Sequence, residues 1–230
     1  MKTIGLLGGM SWESTVSYYR FLNEAVKTRL GGLHSAQVLL YSVDFDPIEK
    51  LQHEGEWEKT ADILAKAAKQ LEMGGADFLL IGTNTMHKVA PQIEAALSIP
   101  LLHIADATAA MLNEHGVKTV GLLGTAFTME QDFYKGRLSE RFNLDVIIPD
   151  ASERSAIHRI IYEELCLGVI NTDSRQLYLD IIERLAQTGC EAVILGCTEI
   201  ALLVGDEQSS IPMFDTTRIH AEAAVEWALA

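Results

Sequence analysis

The chain repeats itself. Residues Thr3-Ile4-Gly5-Leu6-Leu7-Gly8 return as Thr119-Val120-Gly121-Leu122-Leu123-Gly124, an offset of 116 (119 − 3). Residues 75–83, Gly-Ala-Asp-Phe-Leu-Leu-Ile-Gly-Thr, return at 189–197 as Gly-Cys-Glu-Ala-Val-Ile-Leu-Gly-Cys, an offset of 114 (189 − 75). Ile99-Pro100 returns as Ile211-Pro212, an offset of 112 (211 − 99). Three matches at a nearly constant offset describe two copies of one α/β unit, which a pseudo-twofold axis can set face to face with an active site in the cleft between them. The expected domains are 1–98 plus 210–230, and 99–209. Short apolar runs alternating with helical periods predict mainly parallel sheets covered by helices on both sides, a three-layer α/β arrangement in each half.

The predicted pieces of the first copy are a strand over 4–7, a helix over 14–27 with Ser11 or Ser14 at its cap, a strand over 38–43, a helix over 57–73 and a strand over 78–81. Their counterparts fall at 120–123, 133–142, 146–148, 177–186 and 192–195. The segments 106–113 and 217–229 form a further helical pair, and the last helix is expected to pack back on the first half.

Composition limits the partners. A net charge of −14 would repel a polyanion, and no Lys/Arg run interrupts it, so nucleic acid is not expected. No apolar stretch approaches the roughly 20 residues a membrane span needs, and the opening apolar run is too short, with Trp12-Glu13 following quickly, for a secretion signal to be expected. Cys166, Cys190 and Cys197 form an odd set without disulfide or zinc spacing, as expected in a reducing cytoplasm. Gly5 to Gly9 match neither a dinucleotide fingerprint nor a phosphate loop. The histidines His87, His103 and His220 follow no metal-ligand spacing, and hydrogen-bonded structural roles are expected of them.

The repeat puts Thr83 and Cys197 in equivalent places, each after an apolar strand and a glycine. That is the carboxyl end of a strand, where α/β sheets hold ligands. Cys197 read alone is a small buried hydrophobe at a strand end. Beside Thr198, and equivalent to the Thr83-Asn84-Thr85 turn, it sits among hydroxyl and amide groups suited to a small polar ligand. Helix amino termini after each turn are expected to lower the thiol's pKa and to attract a carboxylate. Glu13 and Glu199 either tune the site electrostatically or stabilise helix starts.

On these residues the chain resembles the aspartate/glutamate racemase family, in its aspartate racemase branch. The similarity rests on Gly8-Gly9-Met10-Ser11-Trp12-Glu13-Ser14-Thr15, on Asn84-Thr85 followed by His87, on Gly196-Cys197-Thr198-Glu199 and on Phe214-Asp215-Thr216. The resemblance implies a cofactor-independent isomerase with no metal, acting on a small-molecule amino acid, and it admits a homodimer. One acid/base from each half would stand on opposite faces of the substrate α-carbon, and by position these are Thr83 and Cys197. Asn84, Thr85 and Thr198 would hold the substrate, with Met10 and Gln52 as further candidates.

Two positions depart from the family pattern. Thr83 stands where most members have a first catalytic cysteine, and a hydroxyl is a poorer base than a thiolate. Cys166 stands where relatives acting on acidic amino acids often have a lysine, which leaves room for a broader substrate range. A Cys-dependent hydrolase, or an amino-acid binder without catalysis, stays open beside racemisation.

Overall fold

In the computed structural model, which describes residues 1–205 and 208–230, packing divides the chain into two units. One comprises Met1–Ile104 with His220–Ala230, and the other Ala105–Ile219. These junctions lie later in the chain than 98/99 and 209/210. Leu101 still bridges Leu79 in the first unit, and Met213 pairs with Val193 in the second, so each junction follows the last strand contact of its unit.

The first unit is built from β1 (Ile4–Gly8), α1 (Trp12–Leu30), β2 (Val38–Ser42), α2 (Phe45–Glu54), α3 (Trp57–Met73), β3 (Phe78–Ile81), a 3-10 turn over Thr85–Val89 and α4 (Ala90–Ala95). Its three-stranded parallel sheet has the order β2-β1-β3, with Leu7 opposite Tyr41 and Ile81. Period-two alternation explains why β1 and β3 read as unbroken apolar runs, since both faces of the sheet are covered. Ile4, Leu6, Phe78 and Leu80 pack with Tyr18, Leu22 and, from the C-terminal helix, Ala224 and Val225. On the other face Leu7, Leu79 and Ile81 pack with Leu64, Ala68 and Met86. The return of residues 220–230 to this unit follows from their apolar side: Ala221, Ala224, Val225 and Ala228 are all buried there.

The turn after β1 is fixed by backbone geometry. Gly9 has φ +91°, and a Cβ built there would lie 2.3 Å from the Val43 carbonyl oxygen, so this position accepts no side chain. The Gly9 amide donates to Thr15 Oγ1 at 2.8 Å, and Ser11 caps α1 by accepting from the Ser14 amide. Met10 is thereby held at the carboxyl end of β1.

The second unit begins with α5 (Ile104–Glu114), whose first residue belongs to the first unit. It continues through β4 (Thr119–Gly124), α6 (Ala126–Glu130), α7 (Lys135–Phe142), β5 (Asp145–Ile147), α8 (Ala151–Glu163), a 3-10 turn over Leu165–Leu167, α9 (Thr172–Gln187), β6 (Ala192–Gly196), α10 (Ile200–Leu203) and β7 (Met213–Asp215). The chain closes with α11 (Thr216–Leu229). The parallel sheet runs β5-β4-β6-β7. Its first three strands repeat the order of the first unit, and β7 occupies the place that the Leu101 bridge marks there. Gly124 and Gly196 face one another at the ends of β4 and β6. A Cβ on Gly196 would meet the Leu123 carbonyl oxygen at 2.7 Å, so the close approach of these strands needs glycine. Among the described residues no helix is long and apolar enough to cross a membrane.

Candidate active site

The end of β3 carries the first set of residues. Gly82 still bonds to β1, its amide donating to the Leu7 carbonyl at 2.8 Å, and half-buried Thr83 follows at once. Asn84 and Thr85 are 2% and 5% exposed and open the 3-10 turn. Gln52, on α2, is buried and its amide nitrogen lies 3.8 Å from Met86 Sδ. Met10 joins the apolar cluster that contains Met86. Met10, Gln52, Thr83, Asn84 and Thr85 therefore all belong to one unit, at or beyond the carboxyl ends of its parallel strands. Glu13, in the first turn of α1, has a buried Oε2 atom without a hydrogen-bond partner.

The end of β6 carries the second set. Cys197 is 8% exposed and Thr198 4%. Both give their hydrogens to one atom: Glu199 Oε2 accepts from Cys197 Sγ at 2.9 Å and from Thr198 Oγ1 at 2.8 Å. Thr216 Oγ1, at the start of α11, donates to the Leu195 carbonyl at 2.8 Å and ties this strand end to the Phe214-Asp215-Thr216 motif. With its proton committed to Glu199, Thr198 offers a ligand the lone pairs of its hydroxyl, which suits an ammonium group better than a carboxylate.

The expected fall in the thiol's pKa is reversed. Burial pushes the Cys197 thiol well above the ordinary thiol range, and the negative charge of Glu199 pushes it further, with Cys166 adding to both. Helix α10 has four residues and opens with Ile200, so little dipole reaches the sulfur to oppose this. The raised pKa favours the protonated thiol at Cys197, which donates to Glu199. Tyr178, buried on α9, lies within electrostatic reach of Cys197, Glu164 and Cys166, and burial again drives its pKa up. Sequence reasoning assigned Tyr178 no part. Its only signal was a helical apolar position, which does not distinguish a core tyrosine from one beside a site.

The histidines have structural partners. His87 Nδ1 donates to the Thr83 carbonyl at 2.8 Å, and His220 lies between Tyr18 Oη at 2.8 Å and the Leu102 carbonyl at 2.9 Å. Burial lowers the His220 pKa to about 4. Among the described residues no group of three His, Cys, Asp or Glu side chains is placed to hold a metal ion.

Comparison with known proteins places the chain in a family. The Asp/Glu/Hydantoin racemase family matches residues 7–224. An Asp/Glu racemase candidate from Yersinia pestis is 55% identical, with 100% of both chains covered and a TM-score of 0.92. An aspartate racemase homologue from Pyrococcus horikoshii OT3 is 34% identical, again over 100% of both chains, with a TM-score of 0.86. The broad specificity amino-acid racemase RacX of Bacillus subtilis (strain 168) is 25% identical over 99% of this chain and 98% of its own length. The chain is an isomerase, a member of the Asp/Glu/hydantoin racemase family.

Proposed function

We propose that this protein racemises an amino acid without a cofactor, with Cys197 as the acid/base on one face of the α-carbon and Thr83 on the other. Inversion needs one group to remove the α-proton and a second to return a proton from the opposite side. The observation that carries this reading is the hydrogen bond from Cys197 to Glu199 at an end of β6 equivalent to the Thr83 end of β3.

The α-proton of an amino acid is weakly acidic, so the site must supply both a base and stabilisation of the carbanion. In the Cys197 half-reaction the thiol passes its proton to Glu199, and the resulting thiolate takes the α-proton. The C–H electron pair stays on the substrate, spread into its carboxylate. Glu199 lies 2.9 Å from the sulfur; after the sulfur has taken the α-proton, Glu199 releases its proton to solvent, and the Thr83 side, having given a proton to the carbanion, regains one from solvent. Entry of the substrate ammonium beside Thr198 would stabilise the thiolate once Glu199 holds the proton. Thr83, or a water it positions, completes the inversion. Asn84 and Thr85 hold the substrate from the same turn, with Met10 and Gln52 as further contacts. Aspartate, glutamate or a broader set of amino acids fits the names of the relatives.

The test is α-proton exchange in D2O, followed by NMR on single enantiomers of aspartate, glutamate and a panel of neutral amino acids. Exchange with inversion supports the racemase. Release of a fragment would indicate a hydrolase, and binding with no exchange would indicate a binder.

A further inference from the structure

Thr83 does not stand alone on its turn. His87 is 2% exposed, and its Nδ1 lies 2.8 Å from the Thr83 carbonyl oxygen. A carbonyl oxygen only accepts, so Nδ1 carries the hydrogen. On the other side of the ring the Ile104 amide lies 3.3 Å from Nε2, and an amide N–H only donates, so Nε2 is bare. The two contacts select one neutral tautomer of His87. The backbone N–H of His87 goes to the Asn84 carbonyl at 3.1 Å, so it is the ring that serves the Thr83 carbonyl.

The far end of this contact is also fixed. His220 takes the Leu102 carbonyl through Nε2 at 2.9 Å, so its Nδ1 must accept from the Tyr18 hydroxyl at 2.8 Å. Two histidines thus grip the residues on either side of His103, one through Leu102 and one through Ile104, while the His103 ring packs 4.4 Å from that of His87. The Leu102 amide donates back to the Leu79 carbonyl of β3 at 3.0 Å. The contacts close a circuit from β3 through Thr83, His87, Ile104 and Leu102 to β3 again.

We infer that His87 is a positioning residue for Thr83, its Nδ1–H fixing the peptide plane that links Thr83 to Asn84 and so aiming the Thr83 hydroxyl at the substrate. The inference rests on the reading of Thr83 as an acid/base. A group that must meet an α-carbon within a few tenths of an ångström gains from a rigid support, since misplacement by about 1 Å can cost about 100-fold in rate.

The distinguishing variants are His87→Asn, whose amide N–H reaches the place of Nδ1, and His87→Gln, whose amide reaches the place of Nε2. His87→Gln is expected to lower kcat by about tenfold or more in the half-reaction that uses Thr83, leaving KM and the Cys197 half-reaction nearly unchanged. His87→Asn is expected to recover most of that loss. In a Thr83→Ala background His87→Gln should cost nothing further. Equal kcat for the Asn and Gln variants at equal thermal stability would overturn the inference. So would a bare Nδ1 on His87 in the ¹⁵N NMR spectrum of the wild type, a measurement that stands even if the variants do not fold. If Thr83→Ala keeps full activity in both directions, the acid/base reading of Thr83 fails first. If Thr83→Ala is impaired and His87→Gln is not, the positioning role alone fails.

Discussion

Cys197 donates its hydrogen to Glu199, two residues on, across 2.9 Å, and this contact adds to burial in holding the sulfur as a thiol. A negative charge at that distance disfavours a thiolate in a buried setting. On the proposed mechanism the sulfur waits as a thiol until a substrate cation changes the balance.

Replacing Glu199 by Gln removes the negative charge while leaving a polar side chain of the same size. The thiol's pKa should fall, because one of the causes that raises it is gone while burial remains. Alkylation of Cys197 by iodoacetamide, followed by peptide mapping across a pH series, reads this directly. The rising limb should move to lower pH in Glu199→Gln. An unmoved limb would mean that burial alone sets the thiol.

His220 makes stability depend on pH at the acid end. Its folded value of about 4 lies below the ordinary 6.5, so its contribution is fully present above about pH 6.5 and is lost as pH falls towards 4. For a fully buried group a shift of this size corresponds to about 3 kcal/mol. Urea unfolding at stepped pH should show His220→Gln losing less stability between pH 7 and 4.5 than the wild type. The glutamine can still donate to the Leu102 carbonyl, but it does not titrate. Parallel curves for the two proteins would rule this out.

Gly9→Ala should be strongly destabilising, by about 2 kcal/mol or more, since the new methyl would press on the backbone of Val43 and φ +91° is unfavourable for alanine. Gly31→Ala is the control for φ alone, because its φ is +72° and its Cβ would meet nothing. Chemical denaturation of both separates the clash from the dihedral cost. Equal losses would remove the clash from the account.

Substrate contacts are tested by calorimetry. Asn84→Ala and Thr198→Ala should each weaken binding of the preferred amino acid by about 1 to 3 kcal/mol, as a buried group of the ligand loses its partner. Unchanged affinity in both would place the substrate elsewhere.

Much of this architecture was legible in the sequence, because the duplication and the buried strands are strong signals. The helix over 57–73 stands as expected, for its apolar period runs to both ends. The helix read over 177–186 begins earlier, at Thr172, because its first turns are polar and Asn171 supplies the cap. Helix α8 lies outside the expected elements, although Asp150 and Glu153 form a capping box there, a pattern visible in the residues themselves. Helix α2 left less trace, since Ile48 and Gln52 are its only buried residues. At the site, strand ends were readable by position. The sign of the Cys197 shift was not, because it depends on burial depth and on which way Glu199 turns, and neither has a linear signature.

The most direct measurement is α-proton exchange in D2O from each enantiomer of the preferred amino acid, with wild type, Thr83→Ala and Cys197→Ala, alongside thermal stability. Cys197→Ala should stay folded, since a small side chain at a strand end adds little core volume, and should lose exchange from the enantiomer whose α-proton faces the sulfur. Thr83→Ala should spare that exchange and lose inversion. Thr83→Cys should raise exchange from the poorer enantiomer by about tenfold or more, as a thiol brings the base nearer the working pH. Normal exchange from both enantiomers in folded Cys197→Ala protein would contradict the account at its centre.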